Sequence, residues 1–132
     1  MFLVRRPSMP KLLTIDDERE FTSFIKSYFE PRGYQVFMAN EGESGIAIGC
    51  AERPDIALID LKMPGKHGDV VMGEIRAGSP GTQVIMITAS EGFGKTRERL
   101  LSMGAFACFD KPLTSLKDLE LKIKEALAHG GR

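Results

Sequence analysis

Several short β-favouring runs in this chain stop at a side chain able to do chemistry. Leu12-Leu13-Thr14-Ile15 ends in Asp16-Asp17-Glu18, Ile56 to Ile59 in Asp60, Val84 to Ile87 in Thr88, and Phe106 to Phe109 in Asp110-Lys111-Pro112. Open α/β sheets place their ligand sites outside the carboxyl ends of the strands. Asp60 alone reads equally well as the start of a turn, because Asp favours turns. The other strand ends change that balance. Asp16, Asp17 and Asp60 brought together would repel, and their pKa values would rise unless a cation joined them. A hard divalent ion with oxygen ligands answers that need, and Mg²⁺ is the expected one. Lys111 adds a point charge and Thr88 a hydroxyl donor, so the set suits a phosphoryl group with a carboxylate nucleophile inside it.

The elements that must hold these residues follow from periodicity. Ile56 to Ile59 is apolar throughout, as a strand buried on both faces requires, and Pro64-Gly65 bar its continuation. Phe21, Phe24, Ile25, Tyr28 and Phe29 mark the inward stripe of an amphipathic helix that Pro31 and Gly33 stop. Gln35 to Ala39 predicts a second strand. Residues 41 to 52 predict a helix in which Gly42, Gly45 and Gly49 each cost about 1 kcal/mol relative to Ala, making it the weakest expected in the fold. Val71 and Ile75 mark a third helix, closed by Gly78-Ser79-Pro80-Gly81. A fourth is expected from Lys95 to Met103 with Gly104 as its stop, after a loop loosened by Gly92 and Gly94. Ser115 and Asp118 predict the cap of a last helix, whose inward stripe is Leu116, Leu119, Ile123 and Leu127. His129 reads as a solvated end residue.

Strand and helix alternate five times, which calls for a parallel sheet with helices on both faces. Right-handed crossovers favour a flavodoxin-like, doubly wound, three-layer (βα)5 sheet of strand order 2-1-3-4-5. That order brings the ends of strands 1, 3, 4 and 5 together. The expected organisation is a leader over residues 1–10 with Met9 as an alternative start, one domain over 11–128, and a tail over 129–132.

The 132 residues suit a single core, and eighteen basic residues balance eighteen acidic ones. No global field therefore argues for nucleic acid or an anionic membrane, and no apolar run approaches the roughly 20 residues of a membrane span. Cys50 and Cys108 lack metal-ligand spacing and read as free thiols in a reducing cytoplasm.

From about Lys11 to Ala128 the chain resembles the receiver domain of bacterial two-component response regulators. The resemblance rests on Asp16-Asp17-Glu18, Pro54-Asp55 through Asp60, Met63-Pro64-Gly65 with Gly68, Thr88-Ala89, Gly104-Ala105 and Lys111-Pro112. It implies that Asp60 accepts a phosphoryl group from a sensor histidine kinase or histidine phosphotransfer protein. It implies Mg²⁺ ligated by Asp17, Asp60 and the backbone carbonyl of Lys62, with Asp16 acting largely through water. Lys111 would pair with Asp60 and then with the phosphoryl oxygens, Thr88 would hydrogen-bond the phosphoryl group, and the Lys111–Pro112 bond would be cis.

One position departs from the family. The residue three before the lysine is usually a Tyr or Phe whose ring moves with the switch threonine; here it is Cys108, with Phe106 expected on the same side of the strand. The phosphorylation chemistry does not need that ring, whereas signal propagation does in the family. The expected function is thus a cytoplasmic receiver, monomeric or weakly dimeric. It would switch a protein-binding surface of helix 4, strand 5 and helix 5, without touching nucleic acid or membrane and without enzymatic action beyond its own phosphate chemistry. No DNA-reading module is expected after Ala128. The rivals are a phosphorylation-independent interaction module, an aspartate-nucleophile phosphohydrolase, and an intermediate or sink in a phosphorelay. The phosphohydrolase would need a second acid, which Asp60-Leu61-Lys62 lacks at the next-but-one place.

Overall fold

The computed structural model describes residues 9–89 and 95–130. Most of the expected leader, the loop at 90–94 and the last two residues lie outside the described residues. Five strands, β1 (Lys11–Ile15), β2 (Gln35–Ala39), β3 (Ile56–Ile59), β4 (Gln83–Thr88) and β5 (Ala107–Asp110), alternate with five helices. These are α1 (Arg19–Phe29), α2 (Gly42–Glu52), α3 (Gly68–Gly78), α4 (Lys95–Ser102) and α5 (Leu116–Gly130). The strands form one sheet in the order β2-β1-β3-β4-β5, and every neighbouring pair is parallel. This is the flavodoxin-like arrangement that the alternation predicts.

Two cores lie on the two faces of the sheet. On one, Leu13, Ile15, Ala57, Ile59 and Met86 pack against Val71, Met72 and Ile75 of α3 and Leu100 of α4. On the other, Leu12, Ile56, Leu58 and Ile85 meet Ile25 and Phe29 of α1 and Leu119, Ile123 and Ala126 of α5. Alternate residues of each central strand serve opposite cores, which is why β3 is apolar throughout. Leu116 and Leu127, expected inside, are only partly buried, and Ala126 takes an inner place. Ser115 caps α5 as expected, its Oγ accepting from the Asp118 N–H at 3.0 Å. The helix runs to Gly130, into the His129-Gly130-Gly131 stretch that the sequence offers as its stop.

Two details correct the sequence reading. Phe24 is 52% exposed, because the buried arc of α1 runs through Thr22, Ile25 and Phe29 and turns Phe24 to the rim. Phe106 does not share a side with Cys108. β5 begins only at Ala107, so strand alternation does not reach Phe106; it packs in the α1–α5 core while Cys108 lies in the opposite one.

The glycines of α2 have a packing role that helix propensity alone does not show. Gly42, Gly45 and Gly49 are its buried residues. A Cβ on Gly45 would fall 2.9 Å from both Cγ1 and Cγ2 of Ile15, and one on Gly49 would stand 3.0 Å from Ile75 Cγ1. Bare backbone lets α2 settle onto β1 and α3. Gly73 in α3 is exposed and a Cβ there meets nothing within 4 Å. Overpacking costs about 1–3 kcal/mol, more than the roughly 1 kcal/mol that Ala gains over Gly in a helix. Gly45→Ala is therefore expected to lower the urea midpoint despite its better propensity, while Gly73→Ala raises stability by about 0.5–1 kcal/mol. A midpoint rise for Gly45→Ala would remove the close-approach account.

Candidate functional site

The parallel order places the ends of β1, β3, β4 and β5 along one edge of the sheet. The β1 ladder delivers Asp16, whose N–H donates to the Ala39 carbonyl at 3.0 Å, and Asp60 follows Ile59, its N–H donating to the Ile15 carbonyl at 3.0 Å. The chain past Asp60 then folds back, with the Gly68 N–H on the Leu61 carbonyl at 2.8 Å. A Cβ on Gly68 would fall inside contact distance of the Asp60 carbonyl oxygen and 2.7 Å from Leu61 Cα. Gly68 is thus required where α3 starts against the backbone of Asp60.

Asp16, Asp17 and Asp60 each offer a carboxylate oxygen, and these atoms lie within 4.8 Å of one another. Asp16 and Asp60 are buried and Asp17 is exposed. Lys111 reaches into the group from the end of β5, with its Nζ 2.6 Å from Asp16 Oδ2, 3.1 Å from Glu18 Oε1 and 3.9 Å from Asp60 Oδ2. The expected Lys111–Asp60 pair is present but is the longest of the three. Glu18 was not foreseen as a partner; as the third acid of a run it carries no signal of its own. The ammonium of Lys111 also lies over the Phe21 ring, 4.6 Å from its centre. The Lys111–Pro112 bond is cis.

Burial, followed by the negative charge of Asp16, pushes the Asp60 carboxyl up to about 6, against the pull of Lys111 and of the Lys62 N–H. That N–H lies 3.4 Å from Asp60 Oδ1. Burial likewise raises Asp16, although its bond from Lys111 acts the other way. For Lys111 burial alone would lower the value, but the bonds to Asp16 and Glu18 outweigh it and hold the ammonium protonated above its ordinary range. Three carboxylates with one shared ammonium are left with surplus negative charge. Their all-oxygen donor set fits a hard divalent cation such as Mg²⁺.

Thr88 ends β4 and is 3% exposed, and its hydroxyl has no hydrogen-bond partner among the described residues. Cys108 is buried, and burial pushes its thiol up. A hollow of about 350 Å³ opens beside it, lined by Arg97, Cys108, Asp110, Pro112 and Asp118 among others. A second, of about 720 Å³, lies outside Asp17 and Glu18 and is lined also by Phe21 and the exposed Phe24. No helix among the described residues is long and apolar enough to cross a membrane.

Residues 12–124 match the family model of the response regulator receiver domain. The chain is 31% identical over 102 residues to sporulation initiation phosphotransferase F of Bacillus subtilis, covering 77% of this chain and 82% of that protein. It is 34% identical over 119 residues to the transcriptional regulatory protein CpxR of Klebsiella pneumoniae, which covers 90% of this chain but only 50% of CpxR. The chain thus spans about half the length of that relative. Among solved structures, a CheY-like receiver domain protein from Methanospirillum hungatei superposes with a TM-score of 0.86 at 30% identity, covering 93% of this chain and 97% of that one.

The raised Asp60 gives a signed prediction. Below about pH 4 the carboxyl is neutral in folded and unfolded chains alike. Between about 4 and 6 the unfolded chain releases the proton while the folded one keeps it, so stability falls as pH rises. Above about 6 the penalty is complete. Without divalent metal, Asp60→Asn should be more stable than the parent at pH 8, and the difference should vanish as pH is lowered to about 4. Urea denaturation across that range checks it; a variant less stable than the parent at pH 8 would contradict the assigned repulsion.

Proposed function

The chain belongs to the response regulator receiver domain family, and on that premise we propose that Asp60 accepts a phosphoryl group from a phosphohistidine. The donor is a sensor histidine kinase or a histidine phosphotransfer protein. The observation that carries the reading is the convergence of Asp16, Asp17 and Asp60 beneath Lys111 at one sheet edge. An Asp60 carboxylate oxygen attacks phosphorus as the P–N bond breaks, and the electron pair returns to the imidazole, which takes up a proton. With its carboxyl titrating at about 6, Asp60 is mostly ionised at neutral pH and ready as nucleophile.

Asp17, Asp60 and the Lys62 carbonyl would hold Mg²⁺, with Asp16 reaching it through water. The bound ion supplies neutralisation of charge between nucleophile and phosphoryl oxygens. Lys111 lies within 4 Å of Asp60 and would follow the new phosphoryl oxygens, and the Thr88 hydroxyl, which has no partner among the described residues, would serve as a donor. Phe24 and the hollow beside Asp17, lined by charged side chains together with Phe21, offer a mixed surface next to the site for the donor protein. The chain would act in the cytoplasm as a monomer or weak dimer, without direct contact to nucleic acid. Its catalysis would be confined to gain and loss of its own phosphate.

Output is the step that Cys108 alters. A thiol cannot fill and vacate the volume of a phenol ring, so inward motion of Thr88 has little to carry with it. The change on the α4–β5–α5 face that meets a downstream protein is then muted. A place as phosphorelay intermediate, which needs no such output, is favoured by the same residue and by the match to most of sporulation initiation phosphotransferase F.

Incubation with Mg²⁺ and acetyl phosphate should place one acid-stable, base-labile phosphate on Asp60 by mass mapping. Asp60→Ala should abolish it, and undiminished labelling of that variant would refute the assignment. For the relay role, phosphorylated protein mixed with an unphosphorylated histidine phosphotransfer protein should return its phosphate within minutes. Transfer from the kinase without any return would favour a terminal receiver.

A further inference from the structure

Asp16 is bonded through every polar atom it has. Its N–H donates to Ala39, its Oδ1 accepts the Glu18 N–H at 2.9 Å, and its Oδ2 accepts from Lys111. The remaining atom is its carbonyl oxygen, which belongs to the peptide leading into Asp17. That oxygen accepts from Asn40 Nδ2 at 2.8 Å. The same nitrogen donates to Thr22 Oγ1 at 3.1 Å. Thr22 is 1% exposed, and its hydroxyl donates onward to the Arg19 carbonyl at 3.1 Å.

An asparagine amide nitrogen has two hydrogens, so both are used. Reversing the amide would set Oδ1 against the Asp16 carbonyl, and the orientation is therefore dictated by the partners. Asn40 follows β2, Asp16 follows β1 and Thr22 sits in α1, so one side chain ties three elements behind the acidic loop. Asp17 is exposed and is not held by burial. The peptide plane on its N-terminal side is what Asn40 holds.

We infer that Asn40 is a positioning residue for Asp17: by fixing the Asp16–Asp17 peptide it sets the direction in which the Asp17 carboxylate meets the metal. This rests on the metal reading of the site given above and adds a residue to it. Asn40 touches a backbone carbonyl and no carboxylate, so its effect reaches the site only through geometry. Outer partners of metal ligands commonly alter affinity by about 10–100-fold when removed. Thr22 acts only by holding the second hydrogen of Asn40, which makes it the weaker link.

The test is calorimetric titration of Mg²⁺ into the parent, Asn40→Ala, Thr22→Val and the double variant, all at one pH. Asn40→Ala should bind about ten-fold more weakly, Thr22→Val less so, and the double variant no more weakly than Asn40→Ala. The rate of acetyl phosphate labelling in Asn40→Ala should recover at saturating Mg²⁺. A purely structural role would act only through the folded fraction, so a variant that urea denaturation shows to be fully folded would keep the parent midpoint. An unmoved midpoint in Asn40→Ala, with the parent binding Mg²⁺, overturns the inference alone. A parent that binds no Mg²⁺ overturns the metal reading itself, and with it this one.

Discussion

The repulsion between two buried carboxylates, Asp16 and Asp60, is the constraint on which the rest of this structure depends. Both stand at the ends of central strands where water is largely excluded, and burial raises both pKa values. Lys111 relieves the repulsion in part, but its shortest contact is with Asp16, and Asp60 is left 3.9 Å away. Such an arrangement is held in place by the rest of the fold. The two apolar cores supply the stability that the acidic edge removes, and β3 is apolar throughout because both of its faces are in use. Of the two buried carboxylates, Asp60 is the less satisfied.

Close backbone packing is how the fold sustains that edge. α3 begins against the backbone of Asp60 with Gly68 at the contact, and α2 lies down on β1 and α3 along Gly42, Gly45 and Gly49. Lys66, between these parts, ion-pairs with Glu43 of α2 and Glu74 of α3 at 3.6 and 2.8 Å. These contacts keep the segment after Asp60 short and bound at both ends. A nucleophile on a rigid strand end with such a supported loop loses little orientational freedom when it reacts.

Much of this was legible because it depends on local pattern. β-favouring runs of four residues ahead of Asp16, Asp60 and Thr88 give the strands, and their alternation with helical stripes leaves one natural sheet order. What was not legible depends on how elements meet. Phe24 fits the helical stripe by spacing, yet the arc of α1 that reaches the sheet passes through Thr22, a polar residue with a hydrogen-bonding reason to be buried. Three glycines in α2 read as weakness until the distance to Ile15 and Ile75 is known. Asn40 directly after a strand looks like any turn residue. Only its two partners, distant by 24 and 18 residues, reveal a tie behind the acidic loop.

On the reading proposed above, Cys108 separates the chemistry of this chain from its signalling. The proposed phosphoryl site lies at the ends of β1, β3, β4 and β5, whereas Cys108 packs in the core that faces α3 and α4. A two-state surface needs a group whose contacts differ between the states by several kcal/mol; without one, chemistry at Asp60 changes local charge and little else. The hollow beside Cys108, bordered by Arg97 and Asp118, is where a larger side chain would find room. A receiver built this way keeps the whole acidic edge while giving up the ring that reports its state. On the proposed relay reading, that combination suits a protein whose output would be the phosphoryl group itself. On the proposed reading the physical demand falls on the edge, where Asp60, Lys111 and the peptide held by Asn40 would have to stay in register for transfer in either direction.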